Sequence, residues 1–168
     1  YESVICSAER LVYDDVSDML ENGDEEIIGK YRDIYEELLV MKELAEILHH
    51  KREERGSLDF DIDEAYISLD ENGIPVTIET AERRTANRMI EEFMLCANET
   101  VAEHFFWLEI PFVYRIHETP DADRMEEFKN FVKGFGINMK GSMEEVHPRV
   151  LSEILGQVKA ESFETVVN

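Results

Sequence analysis

Positive charge is what this chain has little of. Its 168 residues carry 17 Lys and Arg against 39 Asp and Glu, a formal net charge of −22 at pH 7. A phosphate backbone is bound through cations and the counterions they release. Read alone, the charge therefore argues against a nucleic-acid module and fits a dispersed acidic protein. The acids are spread along the chain, which excludes an acidic tail. Cysteine is scarce too: Cys6 and Cys96 are the only two, with no C-x-x-C and no His/Cys spacing suited to zinc. A reducing cytoplasm is the simple reading, and Cys96, in the apolar run FMLCA, reads as a small core residue. No hydrophobic run nears the roughly 20 residues of a membrane span, so no membrane partner is expected. No basic start followed by an apolar stretch marks a secretory signal. Repeats, low-complexity blocks, G-x-G-x-x-G, P-loop and G-x-S-x-G motifs are all missing. Ser7 and Ser17 have no evident base, so nucleophilic catalysis has no support.

What remains describes one folded domain, or a large piece of one. The hydrophobic fraction of 43% and aromatic fraction of 10% suit a packed core. The chain opens on Tyr1 rather than Met, which leads us to expect a chain processed or cut from something longer. Residues 14–20 form a short helical candidate ending at Asn22-Gly23. From Asp24 to Glu54 the pattern predicts one helix, with Ile27, Tyr31, Ile34, Leu38, Met41, Ala45 and Leu48 at three- and four-residue steps. Tyr66 to Leu69 and Ile74 to Ile78 read as strands joined by an Asp70–Gly73 turn. A long helix is expected from Ala81 to Leu108, with an apolar stripe of Ala86, Ile90, Phe93, Ala97, Val101 and Phe105. Phe112 to Ile116 reads as a short strand. Thr119-Pro120 opens a further helix, stopped by Gly134 and Gly136, and Pro148 opens another to Lys159. The tail from Ser162 begins one more. The sum is an α+β arrangement.

Several residues could carry chemistry. Glu91 and Glu92 sit in IEEF; adjacent helical residues point about 100° apart, so only one faces a given site. Either they form a solvated pair, or one carboxylate accepts hydrogen bonds from hydroxyls. Phe60, set between acids, is either a core aromatic or a platform on which an unpaired base stacks. Asp59, Asp61, Asp63 and Glu64 are dense enough to suggest a divalent metal. Yet the glycine that a calcium loop needs at its sixth place is Glu64, and its twelfth place is Asp70. Acids flanking a strand entry are the default. His49 and His50 lie where histidine suits a helix C-terminus, and His104, His117 and His147 are scattered, so no zinc site is expected.

Taken in order, SAERLVYDDVSDMLENG, RGSLDF, DEAYISLDENG, ERRTANRMIEEFMLCANETVAEH and PFVYRIHETPD resemble the catalytic domain of the RNase R and RNase II exoribonucleases, the RNB domain. The resemblance covers nearly the whole chain, and ERRTANRMIEEFMLCAN is its most specific part. It implies a helix-rich α+β fragment with one β-hairpin and a long central helix. Residues 1–168 would be the central part of that catalytic domain, a single, incomplete domain. The parent would be a processive 3′→5′ exoribonuclease that hydrolyses single-stranded RNA to nucleoside 5′-monophosphates at a Mg2+ site. By the same resemblance, Tyr13 recognises the RNA sugar, Phe60 packs against a terminal base, and Glu91 contacts ribose near the cleaved end. Arg83, Arg84 and Arg88 either aid phosphate contact or pair with nearby acids, and His117 packs. The metal-binding aspartates of the family are not in the chain. No catalytic residue, no metal ligand and no nuclease activity are therefore expected of this stretch alone, while self-association through uncovered apolar surface is. The basic surfaces for RNA would lie in the rest of the parent. The alternative reading is an acidic helical interaction module, related to the nuclease but without RNA binding or catalysis.

Overall fold

The structure is a computed structural model and describes residues 2–58, 64–139, 141–142, 146–159 and 167. The chain divides into two units, Tyr1–His49 with Asp63–Glu103, and His50–Ile62 with His104–Asn168. The expected class holds: the fold is helix-rich, with a two-stranded antiparallel hairpin and a long helix near the middle of the chain.

In the first unit, α1 (Tyr13–Ser17) runs on into a π-helical turn (Asp18–Asn22). Gly23 ends it at φ 65°, a conformation that glycine adopts without steric cost. Asp24 then caps α2 (Glu25–Lys30), its Oδ1 accepting the N–H groups of Glu26 and Ile27 at 3.0 and 3.1 Å. The single helix expected from Asp24 to Glu54 is broken. After α2 the chain turns through residues 31–34 before α3 (Tyr35–Glu54). The cause is tertiary. Tyr31 leaves helical geometry (φ −111°, ψ 25°), is buried, and donates its hydroxyl hydrogen to Asp15 Oδ2 at 2.9 Å. That anchor, with Lys30 on the same carboxylate, outweighs helical periodicity, which is only a weak prior. The Tyr31 hydroxyl and Lys30 hold the Asp15 carboxyl below its usual range.

The apolar stripe packs as read at all its positions but Leu48. Tyr31, Leu38 and Ala45 join Val16, Met19, Ala86 and Met89 in one buried cluster, with Ile27, Ile34, Met41 and Phe93 against it. The hairpin pairs β1 (Glu64–Leu69) with β2 (Pro75–Ala81), and a register shift falls between Ser68 and Leu69. Its turn is closed by Asp70, whose carboxylate accepts the N–H groups of Asn72 and Ile74 at 2.8 and 2.9 Å. Those bonds hold the Asp70 carboxyl below its usual range. Gly73 takes φ 79°. The helix expected from Ala81 starts later, as α4 (Thr85–Trp107), because Ala81 belongs to β2. Its buried positions are Ala86, Met89 and Glu92, while Ala97 and Val101 of the expected stripe are exposed. A helix of 23 residues is roughly 35 Å long, and its buried positions all fall within its first eight residues.

In the second unit, α5 (Ala122–Lys133) and α6 (Pro148–Val158) build a separate cluster of Met125, Val132, Ile137, Met139, Ile154, Val158 and Val167. The cap of α5 is Asp121, not Thr119. The Asp121 carboxylate reaches the N–H groups of Asp123 and Arg124 at 3.1 Å each, and a carboxylate suits a helix N-terminus. His147 caps α6 with Pro148 in its first turn. The strand expected at Phe112–Ile116 is irregular chain. A strand needs a partner for its backbone groups, and among the described residues the sheet holds β1 and β2 alone. Phe112 instead stacks on Phe105 with ring centroids 4.5 Å apart. The helix expected from Ser162 lies outside the described residues.

Candidate functional site

A helix leaves its first N–H groups without partners inside the helix. At the start of α4 two of them are met from far away in sequence. The Thr85 N–H donates to Glu21 Oε1 at 2.8 Å, and the Ala86 N–H donates to Ser17 Oγ at 3.2 Å. Ser17 is fully buried and Ala86 nearly so. The Arg84 guanidinium closes the junction, donating to Asp18 Oδ1 at 2.7 Å and Glu21 Oε2 at 2.8 Å. The Thr85 backbone N–H first, then its side chain and Arg84, hold the Glu21 carboxyl down to about 2. Asp18 and Glu21 in turn push the Arg84 guanidinium up. This polar latch joins the segment that carries Tyr13 to the helix that carries Glu91.

Along α4 the two adjacent acids part ways. Glu91 stays 41% exposed and is gripped by Arg83. Nε and Nη2 of Arg83 donate to Oε2 at 2.9 and 2.7 Å, and Nη2 also donates to Oε1 at 2.8 Å. Glu92 is 5% exposed and faces inward, with His49 Nδ1 2.8 Å from its Oε1. The two are therefore not a solvated pair. The rotation of about 100° between neighbours gives one an open position and the other a buried one.

Tyr13 stands at the first position of α1, half exposed, and its hydroxyl makes no hydrogen bond among the described residues. Phe60 lies outside the described residues, as do Asp59, Asp61 and Asp63. Arg83 and Arg84 take the ion-pair reading, and Arg88 and His117 are exposed. Ser17, Glu21, His49 and Glu92 are site-building residues that the sequence does not single out for this work. Nothing local marks them, because each acts on a partner more than 40 positions away. Among the described residues, no group of three or more His, Cys, Asp or Glu could hold a metal ion, so these residues do not fit a metal centre. No described helix is long and apolar enough to cross a membrane. What the arrangement offers is an open, oriented carboxylate and an exposed phenol, both suited to hydroxyl groups.

The sequence profile of the RNB domain matches residues 1–168. The chain is 41% identical over 167 residues to Ribonuclease R 1 of Lactococcus lactis, covering 99% of this chain and 20% of that protein. It is 42% identical over 160 residues to Ribonuclease R of Thermotoga maritima, covering 95% of this chain and 22% of that one. The chain thus spans about a fifth of the length of the curated relatives it matches. Its fold is similar to that of Mycoplasma genitalium RNase R solved with ribose methylated single-stranded RNA, at a TM-score of 0.80 and 24% identity over 92% of this chain and 24% of that one. The same protein solved with double-stranded RNA gives 0.79 and 26%, over 92% of this chain and 27% of that one.

Proposed function

This chain belongs to the RNB domain family, and from that membership we propose that it is the central part of the catalytic domain of a processive 3′→5′ exoribonuclease. The parent hydrolyses single-stranded RNA to nucleoside 5′-monophosphates. The observation that carries this is the match of the RNB domain to the full 168 residues, with ribonuclease R relatives 41% and 42% identical. A solved relative in complex with RNA shares the fold.

In this reading the chain supplies a wall that holds the RNA 3′ end. Glu91 accepts hydrogen bonds from ribose hydroxyls and Tyr13 meets the sugar with its phenol. Phe60 offers a ring for a terminal base. A 2′-hydroxyl is what separates RNA from DNA at such a contact. A carboxylate is a better partner for it than for a phosphate, which suits a chain of charge −22. Mg2+, bound by the parent outside the described residues, would activate water and stabilise the leaving oxygen. The role of the described residues is binding and orientation. The 168-residue chain alone is then inactive, and its exposed apolar residues, Trp107 and Val113 among them, favour self-association.

The test is release of nucleoside monophosphates from single-stranded RNA in the presence of Mg2+. It is run on the purified chain and on the longest natural protein that contains it. Activity in the longer protein and none in the chain is expected. Hydrolysis by the chain alone would remove the division of labour. A longer protein that neither binds nor degrades RNA would favour the acidic interaction module.

A further inference from the structure

We propose that Arg83 is a positioning residue for sugar recognition: it holds the Glu91 carboxylate in one plane so that the acceptor site left on Oε1 meets a ribose hydroxyl. This rests on the reading of Glu91 as a ribose contact. The geometry is a fork. Two nitrogens of one guanidinium reach both oxygens of one carboxylate at 2.7 to 2.9 Å. Such bidentate pairing fixes orientation as well as charge, which a lysine cannot do.

Three features make the fork more than a surface ion pair. First, an ionised carboxylate has about four lone-pair sites; Arg83 donates twice to Oε2 and once to Oε1, which leaves acceptor capacity on Oε1. With Glu91 41% exposed, that capacity is open to a ligand. Second, the base of the clamp is held. Arg84, next in the chain, is tied to Asp18 and Glu21, and Thr85 after it is tied to Glu21. The backbone from which Arg83 reaches is therefore fixed on its C-terminal side. Third, the guanidinium cancels the charge of Glu91. A ribose brings phosphates with it, and an uncompensated carboxylate in so acidic a chain would repel them.

The consequence is selectivity. A 3′-terminal ribose brings a 2′-hydroxyl to the oriented acceptor on Oε1, and a deoxyribose has no such hydroxyl. A site built to hydrogen-bond a hydroxyl rejects the analogue that lacks it, provided its acceptors are held in place. An unclamped Glu91 would follow the hydroxyls it finds and discriminate less.

The experiment uses the longest natural protein that contains this chain. Its substrates are two oligonucleotides of one RNA sequence, ending in a 3′ ribose or a 3′ deoxyribose. Arg83→Gln should lower the preference for the ribose end about tenfold, the size of one hydrogen bond to a charged group. The loss should fall mainly in KM for the ribose substrate. Arg83→Lys should lose at least about threefold, because it restores charge without the fork. An unchanged preference in both variants overturns the proposal. If Arg83→Gln does not fold, Arg83→Lys decides alone, and wild-type preference in it overturns the proposal. Glu91→Gln separates the two levels. If it leaves the preference unchanged, the reading of Glu91 itself fails. If it lowers the preference while the Arg83 variants do not, only the clamp fails.

Discussion

Glu21 caps a helix that begins 64 residues later, its Oε1 accepting the Thr85 N–H at 2.8 Å. The same carboxylate holds Arg84 through its other oxygen. One side chain thus ties the π-helical turn to the start of α4, and the first turn of α4 takes its place from that tie.

Acid should weaken this tie in a defined window. The folded-state pKa of Glu21 is depressed to about 2 from 4.5. A depressed carboxylate contributes stability that is present above its unfolded value and is lost as pH falls through its folded value. The Glu21 contribution is therefore complete above about pH 4.5 and gone below about pH 2. Melting curves of wild type and Glu21→Gln across this range should converge as pH falls. A stability gap that is constant from about pH 6 down to about pH 2 would contradict the assignment. At neutral pH, Glu21→Ala should cost on the order of 1–2 kcal/mol, the range for a lost helix cap.

Ser17→Ala should destabilise the first unit although it removes one oxygen. Ser17 is fully buried and its Oγ is the acceptor for the Ala86 N–H. Alanine leaves that buried donor unsatisfied, at about 1–3 kcal/mol. Ser17→Val adds bulk against a nearly buried Ala86 and should cost more. Urea denaturation measures both, and a neutral Ser17→Ala would show that water replaces the hydroxyl.

Two glycines should respond differently to alanine. Gly56 has φ +85°, and a Cβ there would stand 2.7 Å from the Arg149 backbone. Gly73 has φ +79° but nothing within 4 Å. Gly73→Ala should then cost about 1 kcal/mol for backbone strain alone. Gly56→Ala should cost well over that, because backbone cannot step aside as a side chain can. Equal melting temperatures for the two variants would refute the close approach.

Tyr13→Ala and Glu91→Ala, made in the longest natural protein containing the chain, should each reduce the preference for RNA over DNA. About tenfold per residue is the expected scale for a lost hydrogen bond. Competition binding of RNA and DNA oligonucleotides, without turnover, reads this directly. An unaltered RNA-to-DNA ratio in both variants would remove these residues from sugar recognition.

Local chemistry is legible in the residues themselves. The Asp70–Gly73 turn announces the hairpin because Asp70 closes it with its own neighbours' N–H groups. Pro148 and the glycines after α5 mark helix ends for equally local reasons. Pattern and fold part where two local signals compete, as at Thr119 and Asp121, or where a distant residue intervenes, as Asp15 does at Tyr31. In the candidate site, IEEF draws attention to a pair of adjacent acids. It cannot say that Glu92 is buried beside His49 while Glu91 stays open on Arg83.

The sequence by itself determined the family, the helix-rich class, the hairpin and the apolar stripe of α3, because each rests on residue types and short spacings. Only the tertiary structure decided where α3 begins, which glutamate of IEEF faces out, and that Ser17, Glu21 and Arg84 join the Tyr13 segment to the Glu91 helix. Those outcomes depend on which buried polar groups find partners. A partner 64 positions away leaves no trace in any local pattern.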